Sequence, residues 1–437
     1  MKTTTRYSLI IFGFIVFLII APLLVLYVSG RKLDIGDRNT SATGILDAKS
    51  NPGGADLLIN GVTDSSTPSI ARFLLQGEYK VSLQKEGYFE WVKNLAIEPG
   101  KVTYAQKGVD EIQLIKKSVP KILVESGVTS FAVVNDAVWY ATKNTILKGR
   151  ITESEPESIL PINFTPASII QLRDGSHILA TDAKNNATLV DTNSSRVISL
   201  PSNLGVLADI NVITNDLILY RTKNSLIAYK PNSKTTTTLR SDITSFTVLD
   251  GTGYFATTAG AISSAIWNGT SFVDEQNLIS SSPLVSSTST QLIISDKKVL
   301  FFKNGNSDLF RVGNTLDLIL NGVVSTKLDL DTDEVTIRTA SELWFYNFIT
   351  NEAQLLNRNT FAINDFSIHS AIGYGFVATS KGLEAIEIDN RDKQNRYQLI
   401  NHSNQSTEPV WQLGMTVNQK IILALENDSL LVIDVRN

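Results

Sequence analysis

The chain opens with an unbroken apolar run and then changes rhythm. From Leu9 to Val28 it carries no charged residue and one strong helix breaker, Pro22. These 20 residues, at ~1.5 Å rise each, cover a hydrocarbon core of roughly 30 Å, so the run predicts a transmembrane helix over 9–28. Tyr27 falls at its outer boundary, where an amphipathic ring suits the headgroup zone. A secretory leader has a shorter apolar core, of about 7–15 residues, so retention is expected over cleavage at Val28-Ser29-Gly30. Lys2 and Arg6 before the helix are balanced by Arg31, Lys32 and Arg38 after it, and these charges do not set orientation. The short tail (residues 1–8) and very long following segment resemble a signal-anchor. The expected location is the cell membrane, with the bulk of the chain extracytoplasmic.

After a linker at 29–43 the pattern turns to short alternating runs broken by turn signals. Asp56–Ile59 runs into Asn60-Gly61, a dipeptide that supplies positive φ for a tight hairpin. In Gly77–Leu83, Tyr79, Val81 and Leu83 share one face. Thr67-Pro68, Gly87-Tyr88 and Glu98-Pro99-Gly100 mark further breaks, and a small β-sandwich over 44–115 fits the spacing.

From Lys121 to the end a two-strand unit recurs: an apolar strand, a turn, then a second apolar strand. Examples are Ala137–Thr142 with Thr145–Leu147, His177–Thr181 with Ala187–Val190, and Gly375–Thr379 with Leu383–Ile386. Taking Leu147, Leu189, Leu226, Ile266, Leu300, Leu343, Leu383 and Leu430 as equivalent second-strand positions, the period is about 34–47 residues. Repeats near 40 residues with short strands mark the blades of a β-propeller. The last unit stops after its third strand, and Lys121–Glu125 reads as a strand without a partner, so pairing the two would seal the ring. The stretch 316–330 is irregular, which leaves seven or eight blades over 121–437. No WD series or Kelch diglycine repeats accompany the period. The predicted fold is therefore all-β after one N-terminal transmembrane helix.

The order of Gly44-Ile45, Pro52-Gly53-Gly54-Ala55, Ile59-Asn60-Gly61, Thr67-Pro68, Leu75-x-Gly77-x-Tyr79-x-Val81 and Gly87-Tyr88 resembles the PEGA domain. Gly53 stands where that family's turn has Glu, and Trp91, Lys93, Leu95, Ile97 and Val102 match a variant that directly follows an anchor. The arrangement is similar to membrane-anchored PEGA proteins of small-genome bacteria. What the resemblance implies is an extracytoplasmic interaction or spacer module without a catalytic constellation.

Composition narrows the chemistry. The net charge is −4 over 437 residues, without the clustered Lys and Arg that nucleic acid or anionic lipid would need. There is no cysteine, hence no disulfide or thiolate, and only three histidines. The densest acidic cluster, Asp329, Asp331, Asp333 and Glu334, lacks the glycine and glutamate spacing of a Ca²⁺ loop and reads as a solvated turn. His177, His369 and His402 are isolated, and Trp139, Trp267, Trp344 and Trp411 lie in or beside repeat strands, where packing explains them better than sugar stacking. No hydrolase, zincin or phosphate-loop motif is present. No catalytic, metal or cofactor residue is assigned, and no cofactor is expected. The expectation is a non-enzymatic, membrane-anchored binding or scaffold protein that presents a propeller to a protein or cell-envelope glycan. The alternative is an extracytoplasmic propeller enzyme acting on glycans, whose carboxylates would come from different blades.

Overall fold

A computed structural model describes the backbone of residues 3–28, 31–34, 39–151, 155–184, 186–201, 209–285, 290–329, 334–348, 350–402, 409, 411–416 and 418–436. It describes their side chains except at 3–10, 23, 26–28, 31–34, 39–41, 329 and 334. Thr3–Val28 is one helix. Its described residues, Phe12, Phe14, Phe17 and Leu18 among them, are exposed and apolar around the whole circumference. Among the described residues no helix is long and apolar enough to cross a membrane. Leu9, Ile10, Leu23 and Leu26–Val28 of the expected span lie outside the described side chains.

The helix is followed by a two-sheet sandwich. One sheet orders Val62–Ser66, Asp56–Ile59, Gly77–Gln84 and Trp91–Ile97; the other orders Arg31–Asp34, Asn39–Ala48 and Ser69–Leu75, with Val102–Tyr104 added in parallel to Asn39–Ala48. Asn60 and Gly61 both have positive φ (52° and 81°), the geometry a two-residue hairpin of this hand requires. The Pro52–Ala55 turn is tied to Thr67: Ala55 N donates to Thr67 Oγ1 at 3.0 Å and Gly54 N to Thr67 O at 2.7 Å. Leu57, Val81, Leu83, Trp91 and Leu95 fill the core between the sheets. The stretch read as a linker differs from that expectation, because Arg31–Asp34 pairs with the first residues of Asn39–Ala48. Its charged and polar sequence lacks the apolar alternation that marks the other strands.

Among the described residues, eight four-stranded antiparallel sheets follow as blades. Blades 1 to 7 occupy residues 128–161, 168–199, 210–240, 243–279, 291–320, 325–358 and 363–401. Blade 8 takes three strands from 411–434 and its outer strand, Lys121–Val124, from the start of the ring. This is the expected closure, and it removes a free edge at the ring junction. Each seam between neighbouring blades holds its own apolar cluster. Trp139 and Ala132 of blade 1 meet Ile169 and Ile178 of blade 2, and Trp411 and Ile422 of blade 8 meet Phe376 and Ala378 of blade 7. That two-sided coverage is why strands such as His177–Thr181 are buried through consecutive residues instead of alternating. Each such large side chain contributes roughly 1.5–3 kcal/mol on burial.

Polar side chains of inner strands stitch several seams. Ser130 Oγ accepts from Ile169 N (2.8 Å), Ser245 Oγ from Leu292 N (3.0 Å), Asp365 Oδ2 from Leu413 N (2.7 Å) and Gln412 Oε1 from Phe131 N (3.1 Å). The equivalence of Leu300 with Leu147 and Leu383 is one strand out of phase. Leu292–Ile294 and Leu300–Lys303 are the first and second strands of blade 5, whereas the other pairs are second and third strands. The third strand, Leu309–Val312, contains Arg311 and is short, so its apolar signal is weak. Gly382, which starts the third strand of blade 7, has φ +117°, and a Cβ there would lie 2.0 Å from Ile400 O. Gly382→Ala is expected to lower stability by about 2 kcal/mol, read from chemical denaturation.

Candidate functional site

The ring has two unlike faces. Turns between first and second strands and between third and fourth strands lie on one face. Turns between second and third strands, and the connections from blade to blade, lie on the other.

The sandwich sits on the first face, against blade 7. In Trp91–Ile97 the inward positions are Trp91, Lys93, Leu95 and Ile97. The odd member is Lys93, which is 1% exposed. Its ammonium lies 3.1 Å from Glu387 Oε2 and donates to the carbonyls of Asp389 (2.9 Å), Arg391 (3.0 Å) and Lys393 (3.3 Å). Those oxygens belong to the end of the third strand of blade 7 and the turn that follows it. Trp91 Nε1 donates to Glu387 Oε1 at 2.8 Å, and Asn395 Nδ2 to Glu387 Oε2 at 2.7 Å. A buried charge pair is tolerable when its remaining hydrogen-bonding capacity is met, and here it is.

Contacts around this pair run both ways. Arg391 donates to Tyr104 O (3.0 Å) and Ala105 O (2.8 Å) of the sandwich while pairing with Asp389. Asn94 N donates to Asp392 Oδ2 at 2.8 Å, and this bond holds the Asp392 carboxyl below its usual range. Phe89 stacks on Tyr397 at 4.9 Å, and the Tyr397 hydroxyl donates to Glu90 O. Burial at this joint pushes the phenols of Tyr374 and Tyr397 up. Lys116, just beyond the sandwich, pairs with Asp434 of blade 8 at 2.5 Å. The chemistry of this seam is mechanical: it fixes the sandwich to the ring through the turn between the third and fourth strands of blade 7.

On the same face Arg173, in the first turn of blade 2, bonds Asp296 and the Ile294 carbonyl of blade 5, so one arginine joins two blades that are not neighbours in the ring. His177 is buried beside it, with Nδ1 2.5 Å from Asp174 Oδ2. His369 pairs with Ser367 Oγ in the inner strand of blade 7, and His402 lies 2.9 Å from Glu426 on the opposite face. The three histidines are not brought together. Trp139 and Trp411 are buried between blades, Trp267 packs on Phe272, and Trp344 Nε1 donates to Glu342. Asp329 and Glu334 are backbone register partners in two antiparallel strands, and Asp331 and Asp333 lie outside the described residues. Among the described residues no three His, Asp or Glu side chains are placed to hold a metal ion.

Lys93 and Glu387 carry the joint, and sequence reading assigned them no such role. A lysine in phase with Trp91, Leu95 and Ile97 on an otherwise apolar face was the available signal, because lysine is almost never fully buried without a partner.

The architecture is that of a small PEGA-type sandwich joined to a β-propeller. The PEGA domain family matches residues 43–111. The C-terminal WD40 domain of Sif2 is similar in structure over 73% of this chain and 99% of that one, at 13% identity and a TM-score of 0.52. The computationally designed Ika8 protein is similar over 71% of this chain and 96% of that one, at 11% identity and a TM-score of 0.50. These likenesses establish the propeller fold. No curated protein sequence matches the chain.

Proposed function

We propose that the chain is a membrane-anchored, extracytoplasmic scaffold whose propeller holds out one face to a protein or cell-envelope glycan. The observation that carries this reading is the asymmetry of the ring. The sandwich, which follows the apolar N-terminal helix in the chain, is locked to one face by Lys93 and Glu387. The opposite face therefore points away from the helix-bearing module. Propeller likeness to a WD40 domain and the PEGA match support an interaction role, as does the use of the polar groups at the joint for docking.

The full chain, solubilised with its own membranes and captured by a C-terminal tag, is expected to bring down the same partner repeatedly. Recovery of nothing beyond background would count against the scaffold. A tag left intact by protease added outside whole cells would reverse the proposed orientation.

A further inference from the structure

The face opposite the sandwich is not uniform. Over blades 5 to 7 it gathers cations that, among the described residues, have no carboxylate of their own, beside exposed apolar side chains. Lys303, at the end of the second strand of blade 5, donates to Val324 O at 3.1 Å. Val324, in the connection to blade 6, is 50% exposed, and its own N–H donates to Arg338 O. Arg338, at the end of the second strand of blade 6, donates to Ser325 Oγ and to the carbonyls of Ile363 and Asn364. Two residues before Ile363, in the connection to blade 7, Phe361 is 43% exposed, and Lys381 Nζ stands 5.2 Å from its ring.

These cations differ from others on the ring. Arg240 and Arg311 bond carboxylates, whereas among the described residues Lys303, Arg338 and Lys381 form no ion pair. The carboxylate that acts on Arg338, that of Asp365, is already held by Lys327 and Leu413 N. Burial, and then the positive charge of Arg338, hold the Lys303 ammonium below its usual range. Two half-buried like charges side by side are an unfavourable arrangement that an incoming anion would relieve.

We propose that this face, over blades 5 to 7, docks an acidic protein segment that also carries an aromatic or aliphatic side chain. This deepens the scaffold reading and rests on it. The carboxylates of the segment meet Lys303, Lys381 and Arg338, and its apolar side chain covers Phe361 and Val324. A purely anionic polymer would leave those two side chains exposed, which is why a peptide fits better.

The test uses the full chain in detergent and short synthetic peptides graded in glutamate content, with and without one phenylalanine. Binding is expected to rise with glutamate content, to improve with the phenylalanine, and to weaken as salt is added. Lys303→Gln with Lys381→Gln is expected to weaken it at least about tenfold. Because neither lysine is tied to a carboxylate, the melting temperature of that variant should stay close to that of the parent, which separates lost binding from lost folding. Phe361→Ser is expected to abolish the advantage of the phenylalanine. The proposal is overturned if no peptide binds, if neutral peptides bind as well as acidic ones, or if the double variant binds unchanged. Inorganic polyphosphate competing as well as the best peptide would reassign the face to a simple polyanion. A partner crosslinked elsewhere on this face would leave the scaffold standing while removing this site.

Discussion

Lys93→Met is expected to destabilise the protein by about 3–5 kcal/mol, because it leaves Glu387 buried without its cation. Three carbonyls of the blade 7 turn lose their donor in the same step. Glu387→Gln should be milder, since an amide oxygen can still accept from Trp91 Nε1. Replacing both charges, as in Lys93→Met with Glu387→Leu, should recover part of the loss, as apolar replacements of buried pairs often do. The measurement is chemical denaturation of the parent, these three variants and Glu387→Leu alone, followed by circular dichroism. Additive losses in the double variant would mean that the two side chains do not act as a pair.

The second large effect is a pH dependence centred on blade 3. Asp209 lies just before the inner strand, 2% exposed, with Oδ2 2.5 Å from Arg221 Nε and Oδ1 3.3 Å from Ser245 Oγ. Burial raises its carboxyl to about 6, against the pull of Arg221 and the hydrogen bonds from Ser245 and Phe246. In the unfolded chain the same group titrates near 3.9. Between those values the folded state binds the extra proton, so its contribution to stability is complete below about pH 4 and is lost as the pH rises to about 6. The loss amounts to about 3 kcal/mol for a shift of some two units. Asp209→Asn cannot titrate. The stability difference between parent and variant should therefore move by that amount in the variant's favour between pH 4 and pH 7. Parallel curves would remove Asp209 as the source.

The propeller was legible because each blade repeats the same physical demand: two strands apolar on both faces, then a turn. Lys121–Val124 was legible as the closing strand because blade 8 ended one strand short. Asn60-Gly61 announced its hairpin through the positive φ it supplies. Blade 5 was misphased because Phe301 and Phe302 made its second strand look like the strongest of the set. The joint was invisible in outline, because Trp91 and Glu387 are 296 residues apart and no local period links them. Lys93 alone carried a hint, as a charge set in an apolar face. The cations of blades 5 to 7 were hidden for a different reason: whether a lysine has a carboxylate neighbour is decided by how blades stack, not by its place in the repeat.

We propose that the ring uses the face opposite the sandwich to hold its partner. Photo-crosslinking residues placed one at a time in the full chain, in whole cells, test this most directly. Phe361 and Lys223 lie on that face, and Asn232 lies at the other end of the same blade as Lys223. A discrete partner adduct from Phe361 or Lys223, with none from Asn232, is the predicted result. Adducts confined to Asn232, or equal from all three positions, would contradict it.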